Sequence, residues 1–327
     1  MLLKNKVNTT VCKRALVTEF LEASQQAVIA SYHWIGRGDK NEADGAGTEA
    51  MRNRMNQIDM TGVIVIGEGE MDEAPMLFIN EQLGTGNGPE VDIAVDPIEG
   101  TTLLAKGQDN SLAVISAAKR GTLLHAPDMY MKKMAVGPKA KGCIDITRSL
   151  TENMHTVADA LGKKVKDLTV MIQDRPRHEG LINEVFAAGA RVRLFSDVDI
   201  TGAISTALDD YDVDLLVGTG GAPEGVIAAV ALKCLGGDFQ AILQPQDEEE
   251  YNRCVKMGIS NPEKVFTIDE IVQTDDCFFV ATGITDGMLL KGAQQKPNGQ
   301  MLTHSLIIIG GSNQTAQFVD AAFYYCI

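Results

Sequence analysis

The sequence predicts an α/β protein of two domains. Three observations carry this expectation: a length of 327 residues, more than one core commonly serves; helical and strand periodicities that both recur; and an order of elements that changes part-way along the chain. Ala15, Leu16, Phe20, Ala23, Ala27 and Ala30 recur at helical spacing. After the polar turn GRGDKNEADG, the spacing predicts a second helix over Ala46 to Met55, with Asp44 placed as its N-cap. Strand-like runs follow at VIVIG (63–67), VDIAV (91–95), SLAVISAA (111–118) and KMAVG (133–137), separated by Gly, Pro and Asp turns. Their close succession predicts an antiparallel or mixed sheet. From about Thr151 helix and strand alternate: LTVMIQ, a helix after Pro176, RVRLF, a helix after Asp199, DLLVG and a helix opening at Pro223. The expected domains are therefore 1–150 and 151–327, with the boundary in 148–165 and SLIIIG (305–310) free to join either sheet. No internal repeat or low-complexity segment interrupts this pattern.

Charge and composition narrow the function classes. A formal net charge of −15 opposes nucleic acid and anionic membrane as general partners, since both require a basic surface. No apolar run is long enough to span a bilayer, and MLLKNKVNTTVCK lacks a secretory h-region, so the cytoplasm is expected. Cys12, Cys143, Cys234, Cys254, Cys277 and Cys326 are scattered without metal spacing and read as free thiols.

The acids form the most informative pattern. Glu68, Glu70, Asp72 and Glu73 crowd the end of VIVIG; Asp96 and Glu99 end VDIAV; Asp44 closes the polar turn. Asp44 or Glu73 alone reads as a helix cap or solvated turn. The group reads differently, because like charges converging without compensation are costly and imply a bound cation. With no Cys or His among them, the donors suit Mg²⁺ or Mn²⁺. In DIAVDPIEGTT, Pro97 fixes the backbone after the strand, Gly100 permits close approach of a ligand, and Thr101 places a hydroxyl beside the acids. GTGGAPEG (218–225) reads as a Gly-rich turn with amides free for a phosphate and Glu224 in the first turn of a helix. Arg175-Pro176-Arg177 could grip a phosphate bidentately, or be two surface arginines.

The run Asp-Pro-Ile-Glu-Gly-Thr resembles the signature of metal-dependent, lithium-sensitive sugar and inositol phosphatases. With GRGDKNEADG, VIGEGEMDEAPM, APDMYM, RPRH and GGAPEG in order, the chain resembles a class II fructose-1,6-bisphosphatase from about Arg14 to Gly310. The resemblance implies the sugar-phosphatase αβαβα sandwich, with a metal-binding phosphatase domain followed by a sugar-phosphate-binding domain. It implies two or more Mg²⁺ or Mn²⁺ ions, held by Asp44 and Glu68 and by Asp96, Glu99 and Glu224. Thr101, Asp72, Glu70 and Lys40 are the implied catalytic residues. Glu99, Gly100, Thr101, Tyr130, Arg175, Pro176, Arg177, Asp197, Val198, Asp199 and Gly221 are the implied substrate contacts. The implied activity is hydrolysis of the 1-phosphate of fructose 1,6-bisphosphate in gluconeogenesis and glycerol metabolism, by a homo-oligomer (dimer or tetramer).

Departures from the family pattern are local. Val198 stands where the family usually has glycine, the first 13 residues are an extension, and the tail GSNQTAQFVDAAFYYCI lacks the basic residues common there. Relatives that also cleave sedoheptulose 1,7-bisphosphate often carry an insertion before VDIAVDP, and here Gly88-Pro89 leads straight into that strand. Two other readings compete. DVDIT (197–201) spells the Asp-x-Asp-x-Thr of haloacid dehalogenase-type phosphatases, but would leave the acidic strand ends without a role. A non-catalytic sugar-phosphate-binding regulator would not need every implied catalytic side chain.

Overall fold

The computed structural model describes residues 2–69, 76–312 and 314–324, with side chains described from residue 15. In chain order its strands are β1 (Thr61–Ile66), β2 (Gln82–Leu83), β3 (Glu90–Glu99), β4 (Leu112–Lys119), β5 (Tyr130–Val136), β6 (Thr169–Gln173), β7 (Arg191–Phe195), β8 (Leu215–Gly221), β9 (Asp238–Leu243), β10 (Phe266–Thr267), β11 (Cys277–Gly283), β12 (Gln294–Gln295), β13 (Met301–Ile309) and β14 (Thr315–Phe323). The helices are α1 (Leu2–Ser31), α2 (Lys40–Met55), α3 (Thr101–Ala105), α4 (Leu150–Leu161), α5 (Glu179–Ala187), α6 (Asp199–Ser205), α7 (Ala222–Leu235), α8 (Glu248–Lys256) and α9 (Ile268–Ile271). The expected α/β class is observed. Among the described residues no helix is long and apolar enough to cross a membrane.

The chain forms two compact units: Met1–Gly121 with Phe278–Ile309 and Thr315–Ile327, and Thr122–Cys277 with Gly310–Gln314. This division differs from the expected 1–150 and 151–327. The run KMAVG follows the strands of the first sheet in sequence, yet β5 pairs with β8 and β9 of the second. The run SLIIIG, left open, lies in β13 of the first sheet. Periodicity reports what an element is and which face it buries; it carries no information on which strand lies alongside.

The first unit is a mixed sheet in the order β12-β13-β11-β4-β3-β1-β2, with β14 also on β13. β1 runs parallel to β3, and β4 antiparallel to it, so of the antiparallel or mixed sheet expected the mixed form is observed. Alternate strand residues Ile64, Ile93, Val95, Ile115, Phe278 and Val280 share one core with Phe20, Ala23, Ala27 and Val28 of α1 and with Met51 and Met55 of α2. Phe20 meets Phe278 edge-on at 5.2 Å. α2 starts at Lys40 rather than after Asp44, because Asp39 is the N-cap and accepts from the Glu42 amide at 3.1 Å. Gly45 and Gly47 inside this helix weaken its periodic signal.

The second unit is a sheet in the order β10-β9-β5-β8-β6-β7 between helices. Met134, Val136, Val170, Ile172, Leu215 and Val217 pack on Leu150, Met154 and Val157 of α4 and Val185 of α5. The intervening residues face the other way: a Cβ on Gly202 of α6 would lie 2.6 Å from the Leu216 side chain, and one on Gly225 of α7 would lie 2.6 Å from Met131 Sδ. Within this unit the layers are therefore α-β-α. The described cysteines Cys143, Cys234, Cys254 and Cys277 are free thiols, as expected; Cys12 and Cys326 lie outside the described side chains.

Candidate functional site

In the first unit, one irregularity in β3 organises the acids. Three steps from Asp96 to Glu99 oppose two from Val114 to Leu112 on β4, so the strand carries one extra residue there. Pro97, which has no N–H to give to the ladder, occupies this bulge. The Ile98 amide donates to Asp96 Oδ1 at 2.9 Å and folds that carboxylate back over the kink. Ile98 is 2% exposed and packs close to Gly47 of α2, where a Cβ would lie 2.9 Å from its side chain. Asp44 is one turn before Gly47 and thus on the same helix face. It shares a hydrogen bond with Glu68, which follows β1.

The electrostatics match this crowding. Burial, then repulsion from Asp96 and Asp44, pushes the Glu68 carboxyl well above the ordinary range. Burial raises Asp96 to about 6 against the pull of its hydrogen bond to Glu99, and Asp44 adds to the rise. Burial also raises Asp44, against its hydrogen bond to Glu68. Glu99 is buried, and its backbone carbonyl accepts from Ser111 Oγ at 3.0 Å. The chain then turns through Gly100, whose φ of 82° falls in the left-handed region. Thr101 opens α3 immediately after it, partly exposed. Lys40 is exposed one turn before Asp44 on α2. Glu70 and Asp72 lie outside the described residues.

The second unit gathers the basic residues. Pro176–His178 forms a single 3₁₀ turn between β6 and α5. The Arg177 guanidinium lies 5.0 Å from the ring centre of Tyr130, which begins β5, is 45% exposed and so leaves this cation-π pair open to solvent. Arg177 also donates to the Thr219 carbonyl and to Gln173 Oε1, both at 3.0 Å. Arg175 Nη2 stands 3.7 Å from Asp197 Oδ1. Asp199 accepts from Lys133 Nζ at 2.6 Å.

The stretch read as a Gly-rich turn is different in kind. β8 continues through Gly218 to Gly221 and pairs there with β5. The Thr219 amide, expected to be free for a phosphate, donates to His178 Nε2 at 2.8 Å. β6 pairs with β8 only at Leu215 and Leu216, and beyond that point His178 and Arg177 take the place of a neighbouring strand. α7 begins at Ala222 with Gly221 as its N-cap, and Glu224 falls in the first turn as expected.

Val198 combines a strained backbone with a buried side chain. Its φ of 71° lies in the left-handed region, where glycine is favoured, and its side chain is 1% exposed. The strain is offset by burial. Val198→Ala keeps the strain and loses the burial, whereas Val198→Gly loses the burial and sheds the strain. Chemical denaturation is therefore expected to find the alanine variant less stable than the glycine variant by about 1 kcal/mol, the reverse of their usual order. An alanine variant equal to or more stable than the glycine variant counts against this account.

Comparison with known proteins draws these features together. A family described as bacterial fructose-1,6-bisphosphatase, glpX-encoded, matches residues 14–323. The chain belongs to this family. It is 44% identical over 324 residues to the fructose-1,6-bisphosphatase class 2 of Haemophilus influenzae, covering 95% of this chain and 96% of that protein. It is 45% identical over 325 residues to the fructose-1,6-bisphosphatase 1 class 2 of Escherichia coli, with the same coverage. Among solved structures, the extragenic suppressor protein suhB of Bartonella henselae aligns with a TM-score of 0.33 at 13% identity, over 59% of this chain and 73% of that one.

In this family member the described supporting residues escape motif reading. Gln173, in the apolar run LTVMIQ, receives Arg177 and donates to Asp197 Oδ1 at 3.2 Å. His178 is 2% exposed; Nδ1 donates to the Gln173 carbonyl at 2.8 Å while Nε2 accepts from Thr219, which fixes the neutral tautomer. Burial lowers its pKa, and Arg177 and Arg175 add to the fall against the two hydrogen bonds. The one available signal for it was RPRH itself.

Proposed function

We propose that this chain hydrolyses the 1-phosphate of fructose 1,6-bisphosphate to fructose 6-phosphate and inorganic phosphate. Family membership across residues 14–323 carries the reading. The acidic group of the first unit supports it: Asp44, Glu68 and Asp96 have raised carboxyl pKa values, and the all-oxygen donor set with Glu99 fits a hard divalent cation. We assign these four residues to two or more Mg²⁺ or Mn²⁺ ions, with Glu224 kept as a ligand on the resemblance. Bound there, such ions would supply an activated water and withdraw charge from the phosphoryl group.

The chain's own groups do the rest. Thr101 Oγ1 orients the attacking water, the partly exposed hydroxyl standing directly after Gly100 at the start of α3. Lys40 neutralises charge near the reacting phosphate, and Glu70 and Asp72 keep the catalytic roles that the resemblance implies. Arg177 and Tyr130 hold the 6-phosphate, with Arg175 and the backbone of Pro176, Val198 and Gly221 beside it. Asp197 and Asp199 accept from sugar hydroxyls, and Glu99, Gly100 and Thr101 border the 1-phosphate. The reading places the chain in gluconeogenesis and glycerol metabolism, as a cytoplasmic homo-oligomer.

Phosphate release tests it, with Mg²⁺ or Mn²⁺ and a panel of fructose 1,6-bisphosphate, sedoheptulose 1,7-bisphosphate, fructose 1-phosphate and inositol monophosphate. Activity concentrated on fructose 1,6-bisphosphate is expected; preference for another member overturns the assignment. A charge-assisted hydrogen bond to phosphate is worth about 1.5 to 3 kcal/mol, so Arg177→Ala should lower kcat/KM for the bisphosphate roughly 10- to 150-fold. Fructose 1-phosphate lacks the group this arginine holds, and its slow hydrolysis should hardly change. Equal losses on both substrates would place Arg177 at the reacting phosphate or in the framework instead.

A further inference from the structure

Lys133 is the least expected side chain in the second unit. It sits mid-strand in β5 at 2% exposure, a place where a lysine is costly unless paired. Its one hydrogen bond among the described residues goes to Asp199 Oδ2, at 2.6 Å. Asp199, the first residue of α6, keeps a buried Oδ1 with no partner among the described residues. An orphaned buried acceptor of this kind costs stability and calls for a donor that the folded chain does not supply. The backbone beside the pair is cut to fit it. A Cβ at Gly220 on β8 would lie 2.4 Å from Asp199 Oδ2 and 3.2 Å from Lys133 Nζ, so only glycine leaves the carboxylate where it is.

We propose that Lys133 is a positioning and specificity-determining residue for the sugar, acting through Asp199. This rests on the reading above, in which Asp199 accepts from a sugar hydroxyl. Lys133 holds Oδ2 and thereby fixes the plane of the carboxylate. Oδ1 remains as a single oriented acceptor, matched to the O–H of a neutral polyol. Lys133 also cancels the charge of Asp199, which would otherwise repel a substrate carrying two phosphates. The pair selects a hydroxyl donor and discriminates against an anionic oxygen, complementing the guanidinium of Arg177. Gly220 acts with it by permitting the contact.

The test is steady-state kinetics on fructose 1,6-bisphosphate, with thermal melting of each variant in the intact, metal-loaded protein. Lys133→Met, which keeps the length and removes the charge, is expected to raise KM about 10-fold or more while kcat changes less than about 3-fold. Gly220→Ala, which displaces the carboxylate and removes no charge, should raise KM in the same direction. A merely structural ion pair would lower the melting temperature and leave KM of the folded protein unchanged, and that result overturns the proposal. Should Lys133→Met fail to fold, the double variant K133M/D199N removes both charges; KM is expected to stay raised there, and a wild-type KM overturns the proposal equally. Asp199→Ala separates the two levels of inference. If it leaves KM unchanged, the hydroxyl contact itself is wrong; if it raises KM while Lys133→Met does not, only the role of Lys133 fails.

Discussion

Asp96→Asn is expected to lower metal-dependent phosphate release by about 10³-fold or more, since a bound cation is worth several kcal/mol of transition-state stabilisation. The same change should stabilise the metal-free protein. Asp96 is raised to about 6 in the folded chain, above the unfolded value of about 3.9. A carboxyl shifted upward binds its proton more tightly when folded, so its contribution is fully present below the unfolded pKa and is lost as pH rises through the folded one. Metal-free wild type should thus lose stability between about pH 4 and 6, and Asp96→Asn should flatten that decline. Asparagine keeps the Oδ1 that accepts from Ile98, so the bulge survives. Melting curves in a chelator across this range read the effect directly. Near wild-type turnover, or a pH dependence of melting unchanged by the substitution, would refute the assignment of Asp96.

Thr101→Ala should lower kcat by roughly 10² to 10⁴ with little change in KM, the range for a positioned acid-base or water-orienting group. Thr101→Ser restores the hydroxyl and should stay within about 10-fold of wild type. The contrast separates chemistry from scaffolding, because Thr101 is the first residue of a short helix and both substitutions act equally on its start. If serine and alanine are equally impaired, the methyl matters and the hydroxyl does not.

The acids were legible because their signal is local. DPIEG places a proline, two carboxylates and a glycine within five residues, and each constrains the backbone or the chemistry of its neighbour. Asp44 could be associated with them in one dimension only as a member of a list; its place beside Glu68 depends on Gly47 admitting Ile98, a contact across 51 positions that no window contains. The same limit hid Lys133, which in MYMKKMAV looks like one of two solvated lysines until β5 is placed mid-sheet. It also produced the misreading of 218–221: glycines mark a place where backbone must come close, and here the partners are a strand, Asp199 and the side chains of Arg177 and His178. Helix α2 is longer than its periodicity predicts for a related reason, since Gly47 serves packing and not a turn.

The discontinuity of the first unit bears on how the protein is made. Its sheet has β11 between β13 and β4, and β11 and β13 are synthesised after every strand of the second unit's sheet. A chain emerging from the ribosome can complete the second unit's sheet from nearly contiguous sequence, while β4 waits with one edge unsatisfied. That waiting strand is hydrogen-bonded to β3, the bearer of Asp96 and Glu99. The first unit's sheet is therefore finished only near the end of translation, and a chain cut short before Phe278 would present an open, apolar strand edge, the kind of surface on which chaperones act and aggregates start.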